Sequence, residues 1–140
     1  MSLVVSPHYR AAYTGDPRNV PLARNAIASF ASICGFSEGD VADIRLAAGE
    51  ALSNAVEHGR SARSNGFSVV CRFEDDQIAI EIRDNGTGFS IDRREAVPIE
   101  ERTRGFGMGL MRNLMDSVNY DRNGTCVRLY RRLEEPPETS

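Results

Sequence analysis

At 140 residues, 41% hydrophobic and 26% charged, the chain is sized for one globular domain that buries a core without metal or disulfide staples. A net charge of −3 with no long basic tract argues against a nucleic-acid binder, and three cysteines, far apart at Cys34, Cys71 and Cys126, argue against a disulfide framework or a zinc centre. The opening Met1-Ser2-Leu3-Val4-Val5-Ser6-Pro7 has no basic n-region and no run approaches the roughly 18 apolar residues of a membrane span, so a cytoplasmic location is expected.

In chain order, residues 3–14 have β character and end in the turn Gly15-Asp16-Pro17. Residues 20–34 read as a helix with Leu22, Ala23, Ala26, Ile27 and Phe30 on its apolar face, stopped by Gly35. Ser37 is placed to cap a second helix that runs to about His58, with Gly59 past its end and Val41, Ile44, Ala48, Ala51, Leu52 and Ala55 facing the core. The period then shortens to two. Residues 67–73 and 77–83 are predicted strands joined by the turn Glu74-Asp75-Asp76. A glycine-bearing loop at 84–90 and a charged, non-periodic stretch at 91–104 follow. Gly105-Phe106-Gly107-Met108-Gly109 leads into a short helix predicted over 110–116. Strands over 118–121 and 126–133 flank the turn Arg122-Asn123-Gly124. The acidic, proline-containing tail 134–140 reads as disordered, which leaves 1–133 as a single domain. Three helices are too few to cover both faces of a sheet. The order predicts an α+β two-layer sandwich, a mixed and mainly antiparallel sheet with its helices on one face.

Three clusters carry chemistry. On the second helix, Glu50, Asn54 and His58 fall within roughly 80° of one another at about 100° per residue, so one edge presents a carboxylate, an amide and an imidazole beside an alanine-rich face. A carboxylate can accept a hydroxyl proton, and an amide oxygen suits magnesium, a hard cation that shares nucleotide phosphates. The second cluster is Asp84-Asn85-Gly86-Thr87-Gly88 at the end of a strand, where a carboxylate can accept from an exocyclic amine and glycines let backbone pass a flat ring. The third is Gly105-Phe106-Gly107-Met108-Gly109-Leu110, glycine-rich backbone opening onto a helix N-terminus that can cradle phosphate oxygens. It lacks the Gly-Lys-Ser/Thr of a Walker loop and the downstream acidic residue of a Rossmann unit. Taken alone, each cluster has an ordinary reading as solvated edge, surface turn or linker.

Their order is more specific than any of them. A helix with Glu and Asn, a strand ending in Asp-x-Gly-x-Gly, and then Gly-x-Gly-x-Gly-Leu resembles the GHKL ATPase superfamily over roughly residues 22–133. Within it, Gly49-Glu50-Ala51-Leu52-Ser53-Asn54-Ala55-Val56-Glu57-His58-Gly59 and Gly107-Met108-Gly109-Leu110 resemble the bacterial anti-sigma-factor serine/threonine kinases. The resemblance implies ATP and Mg²⁺ as cofactors. It implies Glu50 as general base, Asn54 as magnesium ligand, and Asp84 as the reader of adenine, with Gly86 and Gly88 beside the base. Gly105, Gly107, Met108, Gly109 and Leu110 would approach the phosphates, Thr125 would lie near adenine, and Arg104 or Arg102 would contact the γ-phosphate. Arg24 matches a first-helix arginine that engages the partner.

The expected function is therefore transfer of the ATP γ-phosphate to an anti-sigma-factor antagonist (a STAS-like protein), with control of a sigma factor by partner switching and a homodimer as the working form. No direct contact with nucleic acid or membrane is expected. A nucleotide-gated binding module with little or no kinase activity is the rival reading. A sensor histidine kinase fragment fits less well, because no phosphoacceptor helix is visible around His8, and a gyrase-type ATPase would need a further domain.

Overall fold

The computed structural model describes residues 6–59, 66–84, 106–121 and 125–134. Its elements run β1 (His8–Thr14), α1 (Asn19–Cys34), α2 (Glu38–Gly59), β2 (Gly66–Glu74), β3 (Gln77–Asp84), α3 (Phe106–Leu114), β4 (Ser117–Tyr120) and β5 (Cys126–Arg132). The strands form one five-stranded sheet in the order β1-β2-β3-β5-β4, and each neighbouring pair is antiparallel.

Register explains the layering. Because successive strand residues point to opposite faces, the pairings Val69↔Ile82 and Ile82↔Val127 put those three side chains on one face. Cys71↔Ile80 and Ile80↔Leu129 add a second apolar row beside it. All six are buried, together with Ile44, Ala47, Ala48, Ala51, Leu52, Ala55 and Val56 of α2 and Ala23, Ile27, Phe30 and Ala31 of α1. The opposite face carries Arg72, Glu81, Arg128 and Tyr130, and no helix among the described residues covers it. This is the α+β two-layer sandwich that the element order implied.

Local chemistry fixes the boundaries. Gly35 ends α1 at φ 108°, a left-handed conformation that favours glycine, while its N–H donates to the Ser32 carbonyl at 3.1 Å and Phe36 N–H donates to Ala31 at 3.2 Å. Ser37 Oγ accepts from the Asp40 N–H at 3.1 Å and so caps α2, whose first turn also holds Glu38 and Asp40 against the helix dipole. The β2–β3 hairpin turns on Asp75 and Asp76 at φ 53° and 57°, the paired left-handed conformation that matches strand twist.

Two expectations are corrected. Leu22 is 60% exposed rather than part of the α1 core face, which is built from Ala23, Ile27, Phe30 and Ala31. Position 22 lies about 100° from position 23 on the helix, which turns it off the buried stripe. The third helix begins at Phe106 rather than at residue 110 and ends at Leu114 rather than residue 116, so Gly107 and Gly109 belong to its opening turns. Glycines contribute no apolar period, and the helical pattern becomes legible only at Met111 and Leu114.

Arg131 ties the two ends of the helical layer to the sheet. It pairs with Ile78, so it points to the helix side, where its guanidinium meets Asp40 at 2.7 Å and Asp43 at 3.7 Å and donates to the carbonyl of Leu114. One side chain thus joins the start of α2, the end of α3 and the sheet's central ladder.

Candidate functional site

Asp84 is the last residue of β3 and, by the alternation of Ile78, Ile80 and Ile82, faces the helical layer. It is 5% exposed and is the one buried polar or charged residue among those described. Its backbone N–H donates to the carbonyl of Thr125 at 2.8 Å, which extends the β3–β5 ladder one step and brings Thr125 alongside it. Across from them stands α2. Ala51 and Ala55, both buried, let the helix approach closely, and Asn54 comes to the same place. Asn54, Asp84 and Thr125 therefore line one cleft, completed by Ala51, Ala55, Ile82, Tyr120, Cys126 and Val127. A larger hollow lies between β1 and β2, walled by His8, Arg10, Arg72 and Glu74, but it gathers none of the motif residues.

The amide nitrogen of Asn54 is buried and has no hydrogen-bond partner. An orphaned buried polar group costs about 1–3 kcal/mol and is tolerated where a ligand or ion completes it. The described residues contain no group of three His, Cys, Asp or Glu side chains fit to cage a metal. A single amide oxygen is the donor set suited to Mg²⁺ that arrives with a phosphate chain.

Glu50 lies one turn before Asn54 on α2, half-buried and off the wall of the cleft. Beside it, Arg24 of α1 crosses α2 at Gly49, where a β-carbon would sit 3.1 Å from the arginine Cδ. Arg24 Nε is buried without a partner, the second such atom among the described residues. The arginine named as a partner contact thus packs its stem against the turn that carries the carboxylate. Gly107, Met108, Gly109 and Leu110 lie in α3, which packs on α2 and β4. Gly86, Gly88, Arg102, Arg104 and Gly105 lie outside the described residues, as does the His58 side chain.

Two residues escaped the reading of the sequence. Tyr120 lines the cleft from β4, and Asp121 holds Thr125, accepting from its N–H at 3.1 Å and from its hydroxyl at 3.3 Å. The signal for Asp121 was an acidic residue just before an Asn-Gly turn. All three cysteines are free; Cys71 and Cys126 are buried and Cys34 is partly so.

The fold is an antiparallel sheet backed by helices, with a helix asparagine and a strand-end aspartate meeting in one cleft. The family model for the histidine kinase-like ATPase domain matches residues 13–131, and the chain belongs to that family. It is 31% identical over 130 residues to the serine-protein kinase RsbW of Listeria innocua, covering 85% of this chain and 83% of that protein. It is 34% identical over 114 residues to the RsbW of Bacillus licheniformis, covering 74% and 71%. An anti-sigma F factor of Thermoanaerobacter is 28% identical over 125 residues, covering 84% and 87%. No helix among the described residues is long and apolar enough to cross a membrane.

Proposed function

We propose that this chain is an anti-sigma-factor kinase that transfers the γ-phosphate of ATP to a serine or threonine of a partner protein and thereby governs a sigma factor by partner switching in the cytoplasm. The observation that carries the reading is the convergence of Asn54, Asp84 and Thr125 on one cleft in a chain whose relatives are named serine-protein kinase and anti-sigma F factor. Asp84 accepts a hydrogen bond from the exocyclic amine of the base. Asn54 supplies the amide oxygen that holds Mg²⁺, which when bound neutralises phosphate charge.

Glu50 accepts the proton of the partner's hydroxyl as its oxygen bonds to phosphorus and ADP departs. Arg24, packed against the same turn, engages the partner, an antagonist of STAS-like type. Gly86 and Gly88 flank the base. Gly105, Gly107, Met108, Gly109 and Leu110 offer backbone to the phosphates, and Arg104 meets the terminal one. The chain acts as a homodimer, which sedimentation would check.

The test is incubation with γ-labelled ATP, Mg²⁺ and candidate antagonist proteins. Transfer to a serine or threonine is expected, and Glu50→Ala should abolish it while leaving ATP binding intact. Asn54→Ala should weaken ATP binding in the presence of Mg²⁺ and have little effect in its absence. Binding without transfer to any candidate would favour a nucleotide-gated binding module. Failure to bind ATP with Mg²⁺ present would remove both readings.

A further inference from the structure

We propose that Arg131 is a positioning residue for ATP: from the end of the sheet remote from the cleft it anchors the last turn of α3, and so holds the glycine-bearing first turns of that helix in place for the phosphate chain. The inference rests on the reading of the cleft as the nucleotide site and of the backbone around Gly107 and Gly109 as its phosphate cradle. It assigns that cradle its support.

Arg131 stands well away from the cleft. It pairs with Ile78 near the β2–β3 hairpin, whereas Asp84 and Thr125 meet at the other end of the same two strands, about 20 Å off at roughly 3.3 Å per residue. Its guanidinium meets Asp40 at 2.7 Å, Asp43 at 3.7 Å and the carbonyl of Leu114. Leu114 is the last residue of α3, and α3 packs on α2, whose first turn holds Asp40. Asp116 doubles the attachment. Its N–H donates to the Tyr130 carbonyl at 2.8 Å, and its Oδ2 accepts from the Arg132 N–H at 2.6 Å. The C-terminal end of α3 is therefore fastened to both α2 and β5, and the helix runs back from there along α2 toward the cleft.

The opening turns are weak by composition. α3 has nine residues, fewer than the roughly 12–15 at which an isolated helix becomes even marginal, and two of its first four are glycine. A β-carbon on Gly109 would meet nothing within 4 Å, so packing does not demand glycine there. What glycine leaves is bare backbone, and first-turn N–H groups have no carbonyl partner within a helix. A phosphate chain supplies those partners and brings negative charge to the positive end of the dipole. Arg131 acts on the same helix from its other end, where a cation on the last carbonyls is favourable. Both contacts favour the helical state of residues 106–114, so each strengthens the other. Without the anchor the phosphates must order the helix themselves, and affinity falls by the fraction of chains in which it is not formed.

The experiment is calorimetric titration of the full chain with ATP and Mg²⁺, at a temperature where circular dichroism shows each variant folded. Arg131→Met keeps the stem and removes the guanidinium, and should lower ATP affinity about five- to tenfold, as for one net hydrogen bond. Arg131→Lys should lie between the two and guards against a methionine variant that folds poorly. Asp40→Asn, which loosens Arg131 without touching α3, should also lower affinity, and the double variant should lose less than the sum. Asn113→Ala, at an exposed position of α3, raises helix propensity and should return about twofold in the Arg131→Met background. Ile27→Val trims the core at α1 and should leave ATP affinity unchanged. Undiminished affinity in Arg131→Met overturns the proposal, as does an equal loss in Ile27→Val or no recovery with Asn113→Ala. A wild type that binds no ATP overturns instead the proposed function on which it rests.

Discussion

The stem of Arg24 lies across α2 at Gly49, so close that a β-carbon at position 49 would stand 3.1 Å from the arginine Cδ. Helix interiors disfavour glycine by about 1 kcal/mol relative to alanine, and here the missing side chain is what admits Arg24. Gly49→Ala should leave stability within about 0.5 kcal/mol of the wild type, because the propensity gain offsets a shift of a few tenths of an ångström in a flexible stem. Gly49→Leu should cost about 2 kcal/mol by overpacking, and Arg24→Ala in that background should recover most of it. Urea unfolding of the three variants decides this. Additive losses in the double variant would show that the two positions do not share their space.

Arg131 offers a test of how the helical layer is fastened. Its guanidinium engages Asp40 at 2.7 Å and the Leu114 carbonyl, and it is 19% exposed, so solvent screens the pair only in part. Arg131→Ala should destabilise by about 2 kcal/mol, the range for hydrogen bonds to charged groups. Arg131→Lys keeps the charge but loses the planar fork that reaches two partners, and should recover less than half. Melting curves at matched ionic strength would measure both, and a lysine variant as stable as the wild type would contradict the fork argument.

Stability should also fall in alkali. Burial pushes the Cys71 thiol up to about 12 from its ordinary 9.0. Burial and the hydrogen bond with Tyr9 push the Tyr13 hydroxyl up to about 12 from 10.0. Both groups ionise more readily once unfolded. From about pH 9 upward the unfolded chain therefore binds fewer protons than the folded one, and stability declines as pH rises. Urea midpoints should drop between about pH 8 and pH 10, and Cys71→Ala, though less stable at neutrality, should show the shallower decline. Parallel declines in the two proteins would exclude the thiol as a contributor.

Much of this architecture was legible before any coordinates. The Gly35 stop, the Ser37 cap and the Asp75-Asp76 turn each have a local cause, and local causes are written in adjacent residues. Asp84 was legible for the same reason, since a strand's alternation says which way its last residue faces. Leu22 was misread because apolar character alone does not say which side of a helix finds a partner. The start of α3 was misread because glycines carry no periodic signal. Asp121 had only a weak local signal, and the place of both Asp121 and Tyr120 beside the cleft exists only once β5 has paired with β3. The β3–β5 pairing joins segments far apart in the chain and leaves no mark on either one alone.

The length of β3 separates the two ends of the sheet. From Gln77, next to the hairpin, to Asp84 is a span of about 23 Å at roughly 3.3 Å per residue. A dye attached at the exposed Glu74, just beyond that hairpin, would stand clear of every group in the cleft. Paired with a fluorescent ATP analogue, it would sit within the working range of resonance energy transfer. Occupancy could then be followed in real time, in the wild-type chain and in each variant, from an optical reporter that perturbs neither.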